Sequence, residues 1–374
     1  MKRLYLFNPE NDLALAADMP HFTPPTAALK LKRAACMLPM WYAGVGDYVL
    51  VDAECIPVCE AIADNNGIRV TFVAEVPDDV VGVYPWGWSR HARQQLSSRG
   101  CPESLLPSDK ELEDIRNLSH RRLTVQIYKA LGAIGFPYPL PQLPREIRDA
   151  DYIASELEAG RLKFIKSPWS GSGRGVIDTL TAPSRQVLRL AEGVIKRQGS
   201  VMVEERLEKV CDFAMLFEMN GCEARFVGYS VFFNESYSTY SGNVLAENDK
   251  LEALIARYVG VEQLRDTQFA LEKVLSRVID GRYNGPLGID MMIYRDGDGY
   301  RVAQCVEVNL RMTMGRVAYE LANRHLSVGR QGVMKIVSAR DIVAETNSKI
   351  SFLTPREGND FAFVMTSELK QMLI

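Results

Sequence analysis

The sequence predicts an α/β protein with a small parallel-sheet domain first and an α+β part after it. Three observations support this. Residues 1–115 alternate short apolar runs with helical stretches, the pattern of βαβ units. From about residue 206 the apolar runs lengthen into strand-like segments separated by two helices. Finally, Met291–Tyr294 leads into Arg295-Asp296-Gly297-Asp298-Gly299, whose Asp-Gly steps signal a hairpin returning through Tyr300–Val308.

Taken in order, Leu4–Phe7, Tyr48–Val51, Val70–Val73 and Val80–Tyr84 read as strands, with helices near 26–36 and 89–98. Polar loops 8–12 and 85–89 fall at strand C-termini, where ligands collect in parallel sheets. Ser89 suits a helix N-cap. Trp86 and Trp88 suit either a substrate wall or packing against another domain. Leu118–Leu131 is an amphipathic helix stopped by Gly132, Gly135 and the prolines beyond, and 139–149 reads as a proline-rich linker. A new unit follows: helix Ile153–Ala159, strand Leu162–Lys166, a glycine loop, helix Ser184–Arg197 and strand Val201–Glu205. Strands Phe213–Met219 and Ala224–Phe233 and helices Asp249–Val259 and Thr267–Ile279 lead to the hairpin. The tail has apolar stretches at Asp341–Thr346 and Phe361–Met365, expected to cover the core. The expected parts are 1–115, 116–149, 150–205 and 206–374.

Composition is that of a globular chain: of 374 residues, 47% are hydrophobic and 24% charged, enough for a sizeable core. A net charge of −3 argues against a general nucleic-acid surface. No apolar stretch approaches the roughly 18 residues of a bilayer span, and the N-terminus turns polar at Asn8 too early for a signal peptide. The cytoplasm is the expected compartment. Cysteines 36, 55, 59, 101, 211, 222 and 305 lack paired metal-site spacing and read as buried thiols. His21, His91, His120 and His325 show no metal spacing either.

Three constellations carry chemistry. In Glu307-Val308-Asn309-Leu310-Arg311 the alternate residues share a strand face, and Asp290 sits on the partner strand. This suits Mg²⁺ and phosphate, since Mg²⁺ takes one or two carboxylates plus substrate phosphates; a solvated edge strand is the alternative. In Lys166-Ser167-Pro168-Trp169-Ser170-Gly171-Ser172-Gly173-Arg174-Gly175, alternating glycines let backbone N–H groups approach an anion, with Lys166 as a point charge beside them. The loop runs into strand-like Val176–Thr179 rather than a helix, against a dinucleotide fingerprint, and no Gly-Lys-Ser/Thr follows. The third, Val201–Leu207, is a strand emerging into Glu204 and Glu205, either an adenine hinge or a solvated strand end.

In this order the pieces resemble the ATP-grasp superfamily over roughly residues 116–330, with the leading Rossmann-like region similar in position to the family's preceding domain. The resemblance implies an ATP-dependent ligase that joins a carboxylate to an amine, thiol or other nucleophile through an acyl phosphate. It implies Lys166 at the α- and β-phosphates and Ser170, Gly171, Ser172, Gly173 and Gly175 over the β- and γ-phosphates. It places Glu204, with the backbone of Glu205 and Leu207, at adenine, and Asp212 at the ribose. Asp290, Glu307 and Asn309 would hold Mg²⁺, with Mn²⁺ as a substitute, and Arg311, catalytic with Lys166, would stabilise the transferring phosphoryl group. Departures exist. His120-Arg121-Arg122 replaces the family's usual Asp-Lys, so Arg121 or Arg122 would reach ATP, and Met312–Arg316 replaces a small polar or proline-containing loop. Arg225 suits either the ATP cleft or an ordinary salt bridge, and Tyr237–Asn243 either an acceptor pocket or a loop. Direct phosphorylation of a small acceptor and non-catalytic nucleotide sensing are the alternatives. The expected partners are small-molecule or peptide carboxylates and nucleophiles, and a second copy in a homodimer, with neither nucleic acid nor membrane.

Overall fold

The computed structural model describes residues 1–160, 164–171, 175–235, 239–327, 329–338, 350–356 and 358–366. Two compact units divide the chain: Met1–Ile115 with Ser241–Leu251 and Arg311–Ile374, and Arg116–Tyr240 with Glu252–Leu310.

The first unit begins as β1 (Lys2–Leu6), α1 (Asn11–Ala17), α2 (Thr26–Ala35), β2 (Tyr48–Leu50), α3 (Ile56–Asn65), β3 (Thr71–Val73), β4 (Val80–Pro85), α4 (Arg90–Ser97) and α5 (Asp109–Leu118). The strands form a parallel sheet in the order β3-β2-β1-β4. Along β2 and the second half of β1 both faces are buried, which is why those strands read as unbroken apolar runs, whereas β4 exposes Val81 and Tyr84. Tyr5, Phe7, Val49 and Val51 join one cluster, while Leu4, Leu6, Tyr48 and Leu50 join another with Leu96 of α4. Ser89 caps α4, its hydroxyl accepting from the Ala92 N–H at 3.2 Å. Trp86 packs edge-on to Phe7 within this unit. Helices α1 and α3 lacked a clear sequence signal.

The second unit departs from expectation in two places near its start, and again where the helix expected from Thr267 begins at Val261. The helix expected over Leu118–Leu131 starts only at Arg122 (α6, Arg122–Ala133), because the Arg121 N–H leaves for the Pro168 carbonyl and a turn forms at Ser119–Arg121. The expected linker holds a strand, β5 (Arg145–Ile147), since Arg145 lies past the last proline and can join an antiparallel ladder. Next come α7 (Ala150–Glu158), β6 (Phe164–Lys166), β7 (Val176–Asp178), α8 (Ser184–Gln198) and β8 (Val201–Glu204), giving a small sheet ordered β5-β8-β6-β7. Ile153, Ile165, Val187, Ala191 and Val203 form its core. Long strands β9 (Glu208–Asn220) and β10 (Glu223–Glu235) follow, then β11 (Thr239–Leu245) and α9 (Asn248–Ile255), which belong in part to the first unit, and α10 (Val261–Ile279), β12 (Gly285–Asp296) and β13 (Gly299–Asn309). Within this unit the strands run β13-β12-β9-β10, all antiparallel. The β12–β13 turn places Gly297 at φ 59°, a left-handed backbone that glycine adopts without a Cβ penalty.

The chain closes the first unit with α11 (Met314–His325), β14 (Gly332–Ser338), β15 (Ile350–Phe352) and β16 (Phe361–Thr366). Val317, Leu321, Met334 and Phe363 extend the cluster that buries Phe7 and Trp86. The expected tail strand at 361–365 is part of β16, while Asp341–Thr346 lies outside the described residues.

Candidate nucleotide and metal site

All but one of the candidate side chains belong to the second unit, and the β12–β13 hairpin organises the metal candidates. Asp290 and Glu307 are direct cross-strand partners, so their carboxylates share a sheet face. The register slips between Asp290 and Met292, which pair with Glu307 and Ala303 respectively. Two extra residues on β13 therefore bulge just before Glu307. Bulges re-aim side chains and cluster near active sites. This one is braced by its neighbours: the Cys305 N–H donates to the Tyr128 hydroxyl of α6 at 3.0 Å, and Gln304 Nε2 donates to the Pro139 carbonyl at 3.1 Å. Burial pushes the Cys305 thiol up to about 12, so it remains a neutral packing group.

Like charges directly opposite each other are unfavourable unless offset. Two groups offset them here. Asn309 Nδ2 donates to Asp290 Oδ2 at 3.1 Å, and Arg121 Nη2 pairs with Glu307 Oε1 at 2.9 Å. Among the described residues no three His, Cys, Asp or Glu side chains form a metal-binding group. Two carboxylates and a carboxamide oxygen nonetheless fit Mg²⁺, a hard cation that takes most of its remaining oxygens from phosphate and water. The donor set fits the ion.

The glycine loop is anchored at its front edge. Trp169 is buried; its backbone N–H donates to Gln198 Oε1 at 3.0 Å, and Gln198 Nε2 returns a bond to the Trp169 carbonyl at 3.3 Å. The indole donates to the Arg116 carbonyl, with the Arg116 guanidinium 4.1 Å over the ring and His120 edge-on at 4.6 Å. Burial, assisted by Arg122, Arg116 and Arg148, pushes the His120 pKa down to about 4. The geometry agrees, because His120 Nδ1 accepts the Arg122 N–H at 3.0 Å. Gly175, at φ 85°, gives its carbonyl to the Ser167 N–H at 2.8 Å. Ser172, Gly173 and Arg174 lie outside the described residues.

Of the two arginine alternatives, Arg121 is the one turned inward. Its Nε donates to the Ser167 carbonyl at 3.0 Å and its Nη2 to Ser170 Oγ at 3.1 Å, so one guanidinium touches the loop and Glu307. Arg122 is half-buried at the head of α6. Lys166 ends β6 paired with Glu204, which ends β8 beside it. Glu205–Leu207 leave the ladder between β8 and β9. Asp212, on β9, accepts from Lys209 and Asn234, each at 2.7 Å. Arg225 forms a salt bridge with Glu223 at the surface.

Arg311 belongs to the first unit, where its guanidinium makes two bonds to Asp12, Nε to Oδ1 at 2.9 Å and Nη2 to Oδ2 at 2.7 Å. Met312 N–H donates to the Trp86 carbonyl in the same unit. Asn8 Nδ2 holds the Gly87 carbonyl at 2.9 Å, and Asn11 is buried with neither amide atom partnered among the described residues. Five of the seven cysteines are buried, and Cys222 is exposed. Among the described residues no helix is long and apolar enough to cross a membrane.

Sequence reasoning did not single out Ser167, Trp169, Gln198 or Tyr128. Trp169 had a local signal, an aromatic inside a glycine loop, whereas the others are defined only by their partners.

No family model matches the sequence, and no curated protein does. Solved structures are similar in fold. N5-carboxyaminoimidazole synthetase from Staphylococcus aureus aligns at 12% identity and TM-score 0.51, over 99% of this chain and 95% of that one. The biotin carboxylase domain of Hydrogenobacter thermophilus 2-oxoglutarate carboxylase, crystallised with MgADP, ADP and bicarbonate, aligns at 12% identity and TM-score 0.53, over 98% and 86%. Biotin carboxylase from Campylobacter jejuni aligns at 9% identity and TM-score 0.53, over 98% and 87%. These are ATP-grasp enzymes, and the protein has the ATP-grasp fold.

Proposed function

We propose that the protein is an ATP-dependent ligase that activates a carboxylate as an acyl phosphate and transfers the acyl group to an amine or another nucleophile. The observation that carries this reading is the facing pair Asp290 and Glu307, aligned across the hairpin with Asn309 beside them and Arg121 linking them to the glycine loop. A site for nucleotide alone has no use for two opposed carboxylates on one sheet face. A site for nucleotide with a divalent cation does.

In this reading Lys166 leaves Glu204 to meet the α- and β-phosphates, and Ser170, Gly171 and Gly175 cover the β- and γ-phosphates. The end of β8 and the backbone of Glu205–Leu207 take the adenine, and Asp212 the ribose. Asp290, Glu307 and Asn309 would hold Mg²⁺, which when bound would neutralise charge on the phosphates. A substrate carboxylate oxygen bonds to the γ-phosphorus as the bond to ADP breaks. The nucleophile then attacks the acyl carbon and phosphate departs. Support comes from the fold, because relatives in that fold include a structure crystallised with MgADP and bicarbonate.

The test is product analysis. ADP and phosphate are expected only when carboxylate and nucleophile are both present, and hydroxylamine should trap the acyl phosphate. A stable phosphorylated acceptor would replace this reading with a kinase. Glu307→Gln is expected to abolish turnover while leaving the circular dichroism spectrum unchanged; retained turnover would overturn the metal assignment.

A further inference from the structure

Resting on that reading of the site, we propose that Arg121 is an internal counter-ion that a divalent cation displaces from Glu307, passing its guanidinium to a phosphate oxygen. Arg121 is then a positioning residue that ties metal binding to the glycine loop. The argument begins with valence. Glu307 Oε1 accepts from Arg121 Nη2 at 2.9 Å, and the Arg121 side chain is only 6% exposed. A hard cation that draws either Glu307 oxygen to about 2.1 Å takes charge from the whole carboxylate and so weakens its hold on the guanidinium. A guanidinium held in place would bring a third positive charge against the ion where water screens poorly. Cation and arginine therefore compete for one carboxylate.

The residue is built to move at its tip and not at its base. Its backbone N–H is fixed to the Pro168 carbonyl at 3.1 Å and its Nε to the Ser167 carbonyl at 3.0 Å. The planar guanidinium turns as a unit over this fixed backbone, with its Ser167 bond as the pivot. Nη1 has no acceptor among the described residues, so the fork has donors in reserve for a phosphate, which guanidinium binds in bidentate fashion. Nη2 is shared between Glu307 and Ser170 Oγ, so losing the first bond changes the second. Occupation of the metal position is thereby felt in the loop at Ser170. Lys166 and Glu204 show the same economy, being paired with each other where phosphate and base would separate them. Glu307 and Glu204 thus each have a cationic partner within the protein, while Asp290 is held by the neutral Asn309.

Linkage gives the consequence. If Arg121 and the metal compete, removing the arginine strengthens metal binding to the nucleotide-free protein, and the effect is reciprocal. An Arg121 that merely holds Glu307 in place predicts the opposite sign. The experiment is Mn²⁺ binding to nucleotide-free protein, read by electron paramagnetic resonance and calorimetry, in wild type, Arg121→Gln, Arg121→Lys and Arg121→Gln/Glu307→Gln. Arg121→Gln is expected to bind Mn²⁺ about tenfold more tightly than wild type, in the usual range of coupling between sites. Arg121→Lys should fall between them, because it keeps the charge without the fork, and adding Glu307→Gln should remove the gain. In the presence of ATP, the order should invert for MnATP. Unchanged or weaker Mn²⁺ binding in Arg121→Gln, with binding still dependent on Glu307, would overturn the exchange and leave the metal site standing. Mn²⁺ binding indifferent to Glu307 would overturn the metal assignment itself. Should Arg121→Gln fail to fold, Arg121→Lys carries the test, and wild-type affinity there would overturn the proposal.

Discussion

Replacing Gly175 by alanine probes the glycine loop where backbone and packing constraints coincide. Gly175 sits at φ 85°, and a Cβ built there meets Ser167 Oγ at 2.6 Å, Ser167 Cβ at 3.0 Å and Ser170 Cβ at 3.1 Å. A left-handed backbone costs alanine about 1 kcal/mol relative to glycine. Overlap of this depth, against side chains held by the Ser167–Gly175 backbone bond and by Arg121, adds about 1–3 kcal/mol. The expected loss is thus about 2–4 kcal/mol, read as a lower urea midpoint with unchanged slope. The two contributions separate in a double-mutant cycle. Ser167→Gly removes the two closest contacts but not the backbone strain, so Gly175→Ala should cost only about 1 kcal/mol in that background. Nucleotide binding, measured by calorimetry, should recover in parallel. If Gly175→Ala lies within about 0.5 kcal/mol of wild type, or if the two substitutions add, the packing argument is wrong.

Two further outcomes join those for Glu307 and Arg121. His120 titrates near 4 when folded against an ordinary value of 6.5, so acid protonates the unfolded chain first; stability is intact above pH 6.5 and falls by up to about 3 kcal/mol as pH drops towards 4. His120→Gln should remove that contribution to the slope of stability against pH, and an NMR-detected His120 pKa near 6.5 would refute the burial argument. For the Asp12–Arg311 pair, whose side chains are 20% and 14% exposed, Asp12→Asn and Arg311→Lys should each cost about 1–3 kcal/mol in denaturant and should not add, because either one destroys the bidentate geometry. Additive losses would show that the pair is not a unit.

The legible part of this protein was the part written in short-range signals. Strand runs buried on both faces, the Ser89 cap and the Asp-Gly turn depend on neighbours within a few residues, and they appear in the structure close to where the sequence places them. That Asp290 and Glu307 share a sheet face was likewise readable, but the register set by the turn would put Cys305 opposite Asp290, and only the two-residue bulge brings Glu307 there. The break at Ser119–Arg121 was not readable, because it depends on the Pro168 carbonyl 47 residues away taking the Arg121 N–H. Nor was the strand hidden among the prolines, which exists only because β8 offers it an edge.

Partner choice marks the boundary. By itself the sequence determined which charges and glycines are available and in what order: Lys166, the glycine loop, Glu204, Asp290 and the alternating Glu307, Asn309 and Arg311. Tertiary structure alone decided that Arg121 rather than Arg122 turns onto Glu307, and that Arg311 is held by Asp12, 299 residues earlier in the chain. The reason is physical. Backbone periodicity and turn propensity are local properties of the chain, whereas an ion pair is set by distance and desolvation, and these exist only once remote segments have packed.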